Sequence, residues 1–384
     1  MSLISQSKKT SLGFVIFFSG VIVLLMLVGF CNDVHLSFSI ESGYYDGVLE
    51  LEIWGGAGNR IFYTLDGSEP GTEDFLYHTG STIILTDATS NKNVYSARTD
   101  TSTAFWTDMV DTYSGGNPGY TVPVYKVDKC NVIRASVFDR EGQCLDTITG
   151  TYFIGFQNKS GYDGIYTASI VTDPDNLFGY ENGIYVTGEA FDRLKKEIGS
   201  SQWEEYPYAP YWWWWTSNYS YRGFDWERPA NVTIFDENRK IMLSDFCGIR
   251  IQGGGSRGKL PKSLGCYARE IYGRNDEFQT DLFRINQYPH KFVFFSGGDD
   301  NVFKLKDYMA NTMEQGLAFA TMDFIPCAVF LNGEYWGIYY VTENYNSDYI
   351  SDHYHVKEDN VIMDKSGELA EGTEEDADLF QEAM

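Results

Sequence analysis

The sequence predicts a β-sandwich followed by an α+β domain. Three observations carry that expectation. Residues 34–157 alternate apolar and polar side chains between closely spaced turn signals, with no long helical period. Residues 158–384 mix strand-like runs with segments of helical spacing. The composition, with 28 Tyr and 38 Gly against 10 Pro, favours strands and tight turns.

A chain of 384 residues is long enough for two domains. It carries 29 Lys and Arg against 54 Asp and Glu, a formal charge of −25. That balance excludes nucleic acid as the main partner, because tracking phosphates needs a basic surface. A hydrophobic content of 43% excludes a disordered acidic protein. Five His and the lack of any CxxC leave little material for a His-rich or structural zinc site, and the metal ligands stay unknown.

The first element is a targeting segment. Lys8 and Lys9 precede an uncharged run from Thr10 to Asn32 with its apolar heart at Leu12 to Phe30. A membrane span takes about 20 apolar residues and a secretory core roughly 7–15, so residues 1–33 read as a signal peptide or signal anchor. The basic residues come first, which places the rest of the chain outside. Cys31 stands where a lipoprotein would be cleaved, although Phe30 is bulky for such a site.

Within 34–157, Leu36 to Ile40 and Leu49 to Ile53 alternate as half-buried strands. Ile61 to Thr64 leads to a turn at Asp66-Gly67, residues that tolerate tight-turn geometry. Ile83-Ile84-Leu85 and Val132 to Val137 are further strands, and Asp100 to Tyr120 is a long insertion. Cys130 and Cys144 flank a hairpin, where a disulfide and two free thiols are equally open readings.

Within 158–384, Glu189 to Gly199 has helical spacing and a Gly stop. Ala230 to Phe235 and Phe246 to Gln252 are strands, and Phe303 to Gly316 is a helix with Asp299 and Asp300 before it. Asn332-Gly333 between Ala328–Leu331 and Tyr335–Val341 is a strong hairpin signal. Thr373 to Asp376 starts a helix by a capping box and meets no Gly or Pro stop, so the chain ends as if cut.

Four places carry chemistry. Gly253, Gly254 and Gly255 let backbone N–H groups approach an anion, and Arg257, Lys259 and Lys262 can neutralise phosphate. The stretch Gly253 to Lys259 is not a P-loop, because Leu260 replaces the magnesium-binding hydroxyl and Pro261 opposes the required helix. Its bland alternative is a flexible hairpin tip. Glu343 ends an apolar strand, where it either pairs with a phosphate-gripping lysine or is solvated. Asp307 follows Lys304 and Lys306 on a helix and reads as their surface partner. The run Trp212 to Trp215 cannot all face one side of an element, which suggests a surface loop or a sugar-stacking platform.

Two resemblances follow from these residues. Tyr63-Thr64-Leu65-Asp66-Gly67-Ser68 and Pro70 resemble the signature of small immunoglobulin-like modules called chitobiase C-terminal or fibronectin-type-III-associated domains. Farther on come Asp173 to Leu177, Asn182 to Gly188, Glu227-Arg228-Pro229, Gly248 to Gly253 and Ser256-Arg257. Pro261-Lys262-Ser263, Tyr272-Gly273, Lys304 to Asp307, Leu331 to Tyr339 and Glu343 complete the series. Together they resemble the CotH kinase family, atypical protein kinases of bacterial spore coats.

The resemblance implies a kinase-like, incomplete α+β domain over 158–384 behind the 34–157 sandwich. It implies ATP and Mg as cofactors, a Ser/Thr acceptor on a surface protein, and a bacterial cell-surface setting, anchored or secreted. Lys262 would grip phosphate with Glu343 as its ion-pair partner; Gly253, Gly254, Arg257 and Lys259 would form the nucleotide loop. The metal-binding lobe is missing from this chain, which is then expected to transfer no phosphate itself. The rival class is a non-enzymatic surface protein that binds cell-wall or plant polysaccharide.

Overall fold

The computed structural model describes residues 34–97, 123–198, 216–365 and 368–373, together with residues 375 and 378, apart from residues 274, 284–287, 299, 301–302 and 318–319. Residues 1–33, the 100–120 insertion, Trp212–Trp215, Asp299 and most of the C-terminal helical segment lie outside the described residues. No described helix is long and apolar enough to cross a membrane.

The chain is mostly β-sheet, with four α-helices among the described residues. The first module holds β1 (Leu36–Phe38), β2 (Gly43–Tyr45), β3 (Leu49–Leu51), β4 (Ile53–Gly55), β5 (Arg60–Thr64), β6 (Phe75–Tyr77), β7 (Ile83–Leu85), β8 (Asn131–Phe138) and β9 (Cys144–Ile154). Strands β2-β9-β8-β5-β6 form one sheet, and the β1-β4 and β3-β7 pairs are two smaller ones. Their apolar faces meet in a core around Leu51, Ile61, Ile133, Val137 and Tyr152.

The second module differs from the expected α+β layering. It is a closed seven-stranded barrel in the order β10-β11-β12-β13-β14-β16-β15. Its strands are β10 (Tyr166–Val171), β11 (Arg228–Phe235), β12 (Ile241–Gln252), β13 (Ser263–Tyr267), β14 (Lys291–Phe295), β15 (Phe324–Leu331) and β16 (Glu334–Thr342). All pairings are antiparallel except β10 with β15, which closes the ring. Closure leaves no exposed sheet edge. The helices α1 (Pro174–Phe178), α2 (Gly188–Ile198), α3 (Lys306–Glu314) and α4 (Ser347–Tyr354) sit in the connections. Beyond the barrel, β17 (Met363–Lys365) and β18 (Glu368–Glu371) form a hairpin.

Inward residues such as Ile170, Val232, Ile249, Leu264, Phe292, Val329 and Tyr339 fill the barrel. The alternate residues of β15 are apolar too, as are Val171 of β10 and Phe235 of β11, because that side packs on the first module. Val171, Phe235, Ala328 and Phe330 join Cys130, Val132, Phe153 and Phe156 in a shared core. Phe153 meets Phe330 edge-on at 4.9 Å between centroids. Strands buried on both faces read as continuous apolar runs, which explains the Ala328–Leu331 sequence.

The Asn332-Gly333 hairpin forms as the dipeptide demands, with φ of 45° and 87°. Its Asn332 side chain ties the turn to the end of β10, and the contacts of Asn332 with Gly67, of Gly333 with Cys130 and of Glu334 with residues 94–96 dock the first module. Asn332 Nδ2 donates to Thr172 O at 2.8 Å, and Asn332 Oδ1 accepts from Thr172 N at 2.9 Å. A Cβ on Gly67 would lie 2.6 Å from the Asn332 side chain, so the Asp66-Gly67 turn needs its glycine. Cys130 N donates to Gly333 O at 2.9 Å. Glu334, only 4% exposed, accepts from the backbone N–H groups of Val94, Tyr95 and Ser96 and from Ser96 Oγ, at 2.5–3.1 Å.

The five described cysteines are free thiols. Cys130 precedes β8 and Cys144 pairs with Phe138 at its far end, eight residues on. Eight extended residues span about 26 Å, against a limit near 7 Å for disulfide Cα atoms, so these two do not bridge.

Glu334→Ala leaves the buried N–H groups of Tyr95 and Ser96 and the part-buried N–H of Val94 without an acceptor, and we predict a loss of about 2–4 kcal/mol in stability. Urea unfolding checks this; a change under about 0.5 kcal/mol would mean the junction contributes nothing.

Candidate functional site

The glycine loop between β12 and β13 is held by Arg257. Residues 255–258 make one 3-10 turn rather than the start of an α-helix. Arg257 is 4% exposed, and its guanidinium donates to Gly253 O at 2.9 Å, Ile251 O at 2.6 Å, Tyr219 O at 2.7 Å and Tyr221 O at 3.0 Å. Every donor nitrogen therefore serves a carbonyl of the loop, of the end of β12 or of the 219–221 turn. Burial, with Arg222 and Arg250 nearby, lowers its pKa to about 10.

Lys262 is fully buried. Its Nζ donates to Arg257 O and lies 3.6 Å from the centroid of the Tyr219 ring. Burial, with Arg257 adding, drives its pKa well down. Glu343 is taken by other groups: His353 Nε2 at 2.6 Å and Asp323 N at 2.9 Å. Burial raises its pKa against the opposing pull of His353.

The expected Lys262–Glu343 ion pair is absent, and strand register explains why. Leu264 pairs with Phe294 and Phe294 with Val341, so Lys262 is level with Tyr339. Tyr339 Oη indeed donates to Lys262 O at 3.2 Å. Glu343 lies four residues further along, about 13 Å down the strand axis and two strands away.

The structure brings other residues to the loop. A cleft of 330 Å³ is lined by Gly254, Gly255 and Ser256 on one side and by Gly298, Asp300, Lys306 and Asp307 on the other. A Cβ on Gly254 or Gly255 would meet nothing within 4 Å, so the loop backbone faces open space. Asp300 fixes the far wall: Oδ2 accepts from Leu305 N and Lys306 N, both at 2.9 Å. These bonds cap α3 and lower the Asp300 pKa. Helix α3 thus starts three residues later than its apolar pattern suggests, because Lys304 turns away at φ 58°. Lys304 Nζ donates to Ile338 O instead of pairing with Asp307, and burial lowers its pKa to about 8.

Of the predicted residues, Gly254 lines the cleft, Gly253 and Arg257 shape it from behind, Lys262 braces Arg257, and Glu343 belongs to a separate cluster. Sequence reasoning missed Lys306 as the basic group opposite the glycines. Glu227, singled out in the sequence only within the Glu227-Arg228-Pro229 stretch, is 4% exposed and held by Arg269 through two 2.8 Å bonds. The acid ahead of a helix was a visible capping signal for Asp300; nothing local marked the others. Among the described residues no group of three His, Cys, Asp or Glu is placed to hold a metal ion.

A family model described as CotH kinase protein matches residues 249–382. The match begins inside β12 and takes in the glycine loop, the cleft and the rest of the barrel, but not β10, β11 or the first module. No curated protein matches the chain.

Unfolded lysine keeps its proton to about pH 10.4. Folded Lys262 releases it well below that value. In between, the unfolded state binds more protons, so stability rises with pH. Lys304 and Lys291, both near 8, act in the same sense. We predict that urea midpoints rise more steeply between about pH 7 and 10 in the native chain than in Lys262→Met. Parallel profiles would contradict the burial of a titrating ammonium.

Proposed function

We propose that the barrel is the nucleotide-binding part of a CotH-type protein kinase. The observation that carries this reading is the family match over the segment that forms the cleft. The cleft suits the phosphates of ATP: two glycines expose the backbone to close approach, and Lys306 faces them as the cation. When bound, ATP supplies the phosphoryl group and magnesium neutralises its charge. Arg257 and Lys262 act as positioning residues, because their donors fasten the loop that presents Gly254 and Gly255. In this reading the acceptor is a Ser or Thr of an extracellular surface protein. Asp300 and Asp307 bring carboxylates to the same cleft, and magnesium would favour that side of it.

Calorimetric titration with ATP and magnesium tests the reading. The full chain is expected to bind, and Lys306→Ala to weaken binding about tenfold through loss of one charge-assisted contact. Lys306 is exposed, so the fold is retained. Absence of ATP binding, or equal affinity in Lys306→Ala, would overturn the assignment.

A further inference from the structure

We infer that the cleft between the two modules is a binding site for a neutral oligosaccharide. It has a volume of about 730 Å³, within the range of roughly 300–1,000 Å³ common for small-ligand sites. The inference is independent of the nucleotide reading.

The floor comes from β8 and β9 of the first module through Arg134, Ser136 and Thr147, and the opposite wall includes Tyr272 of the barrel. The charges in this cleft already answer one another. Arg134 Nη2 donates to Glu69 Oε1 at 3.2 Å. Asp146 Oδ2 accepts from Leu36 N at 2.8 Å and lies 3.5 Å from His35 Nδ1. With two carboxylates against one guanidinium at the site, and −25 on the chain, a polyanion gains nothing here. A polypeptide strand would need a free sheet edge. The floor is the face of the β8–β9 pair. Strand β2 meets β9 only over Tyr152–Ile154, so among the described residues the outer edge of β9 at Cys144–Ile148 is not strand-paired, and a peptide strand is the competing occupant that the test below separates.

What remains suits a hydroxyl-bearing ring. Ser136 Oγ and Thr147 Oγ1 sit 2.8 Å apart as a donor–acceptor pair on the floor. Arg134 is 5% exposed, and its Nε–H has no acceptor among the described residues. Its cross-strand partner Thr149 has a buried Oγ1 that is likewise unsatisfied. Both atoms are buried beneath the floor; at its surface the Ser136–Thr147 hydroxyl pair is what a sugar hydroxyl, which donates and accepts at once, can join. Tyr272 supplies an aromatic wall held in place over Gly248, where even a Cβ would come within 2.5 Å of its ring. Ile271 beside it is 70% exposed and extends the apolar lip. An apolar wall facing a polar floor matches the two sides of a pyranose.

Calorimetry of the full chain with four probes, the hexasaccharides of β-1,4-linked glucose, xylose, mannose and N-acetylglucosamine, tests this. At least one is expected to bind. Tyr272→Ala is expected to weaken that binding about tenfold or more, as for a central aromatic contact. Glu69→Ala, at a carboxylate whose side chain is 59% exposed, is expected to weaken it as well, and circular dichroism verifies that both variants are folded. Failure of all four sugars to bind overturns the inference, as does unchanged affinity in both folded variants. Binding of an unstructured peptide in place of the sugars overturns it too.

Discussion

The buried guanidinium of Arg257 is the constraint on which the site depends. A loop of three successive glycines has more backbone freedom than any other tripeptide, and left alone it would sample many shapes. Four carbonyls gathered on one side chain remove that freedom. The carbonyl of Arg257 is itself taken by Lys262, so two buried cations are stacked behind one open turn. Burying two cations is costly unless their donors are satisfied. Here backbone oxygens and the Tyr219 ring satisfy them, at the expense of lowered pKa values for both.

The barrel makes that arrangement rigid. Its strands β12 and β13 carry the loop, while β14 and β15 flank the segment that contains Asp300 and α3. Loop and helix therefore face one another across a sheet whose register is fixed by a filled interior. The first module stiffens the opposite side through the shared Phe153, Phe235 and Phe330 cluster and through Glu334. Two modules joined by a common core move as one body more readily than two joined by a linker.

Much of this was legible in the chain. Alternation placed β1 and β3, although Leu49 to Ile53 breaks into β3 and the start of β4, and Asn332-Gly333 placed the β15–β16 hairpin, because these are local signals. The barrel was not legible, because β15 is buried on both faces and its apolar run carries no period-2 signature, while β10 alternates but finds its partners β11 and β15 far along the chain. The Lys262–Glu343 pairing erred for a different reason. Motif order along the chain says nothing of register, and register puts Tyr339, not Glu343, beside Lys262. The role of Glu334 was invisible because its partners, residues 94–96, lie about 240 positions away. Arg257 and Gly254 were legible as loop residues; which one faces the cleft and which one braces it required the fold.

Photoaffinity labelling with an ATP analogue carrying its reactive group on the γ-phosphate tests the central claim most directly. Labelled peptides are expected from the 253–262 loop and from 300–307, competed away by unmodified ATP. Labelling confined to peptides elsewhere in the chain would contradict the account.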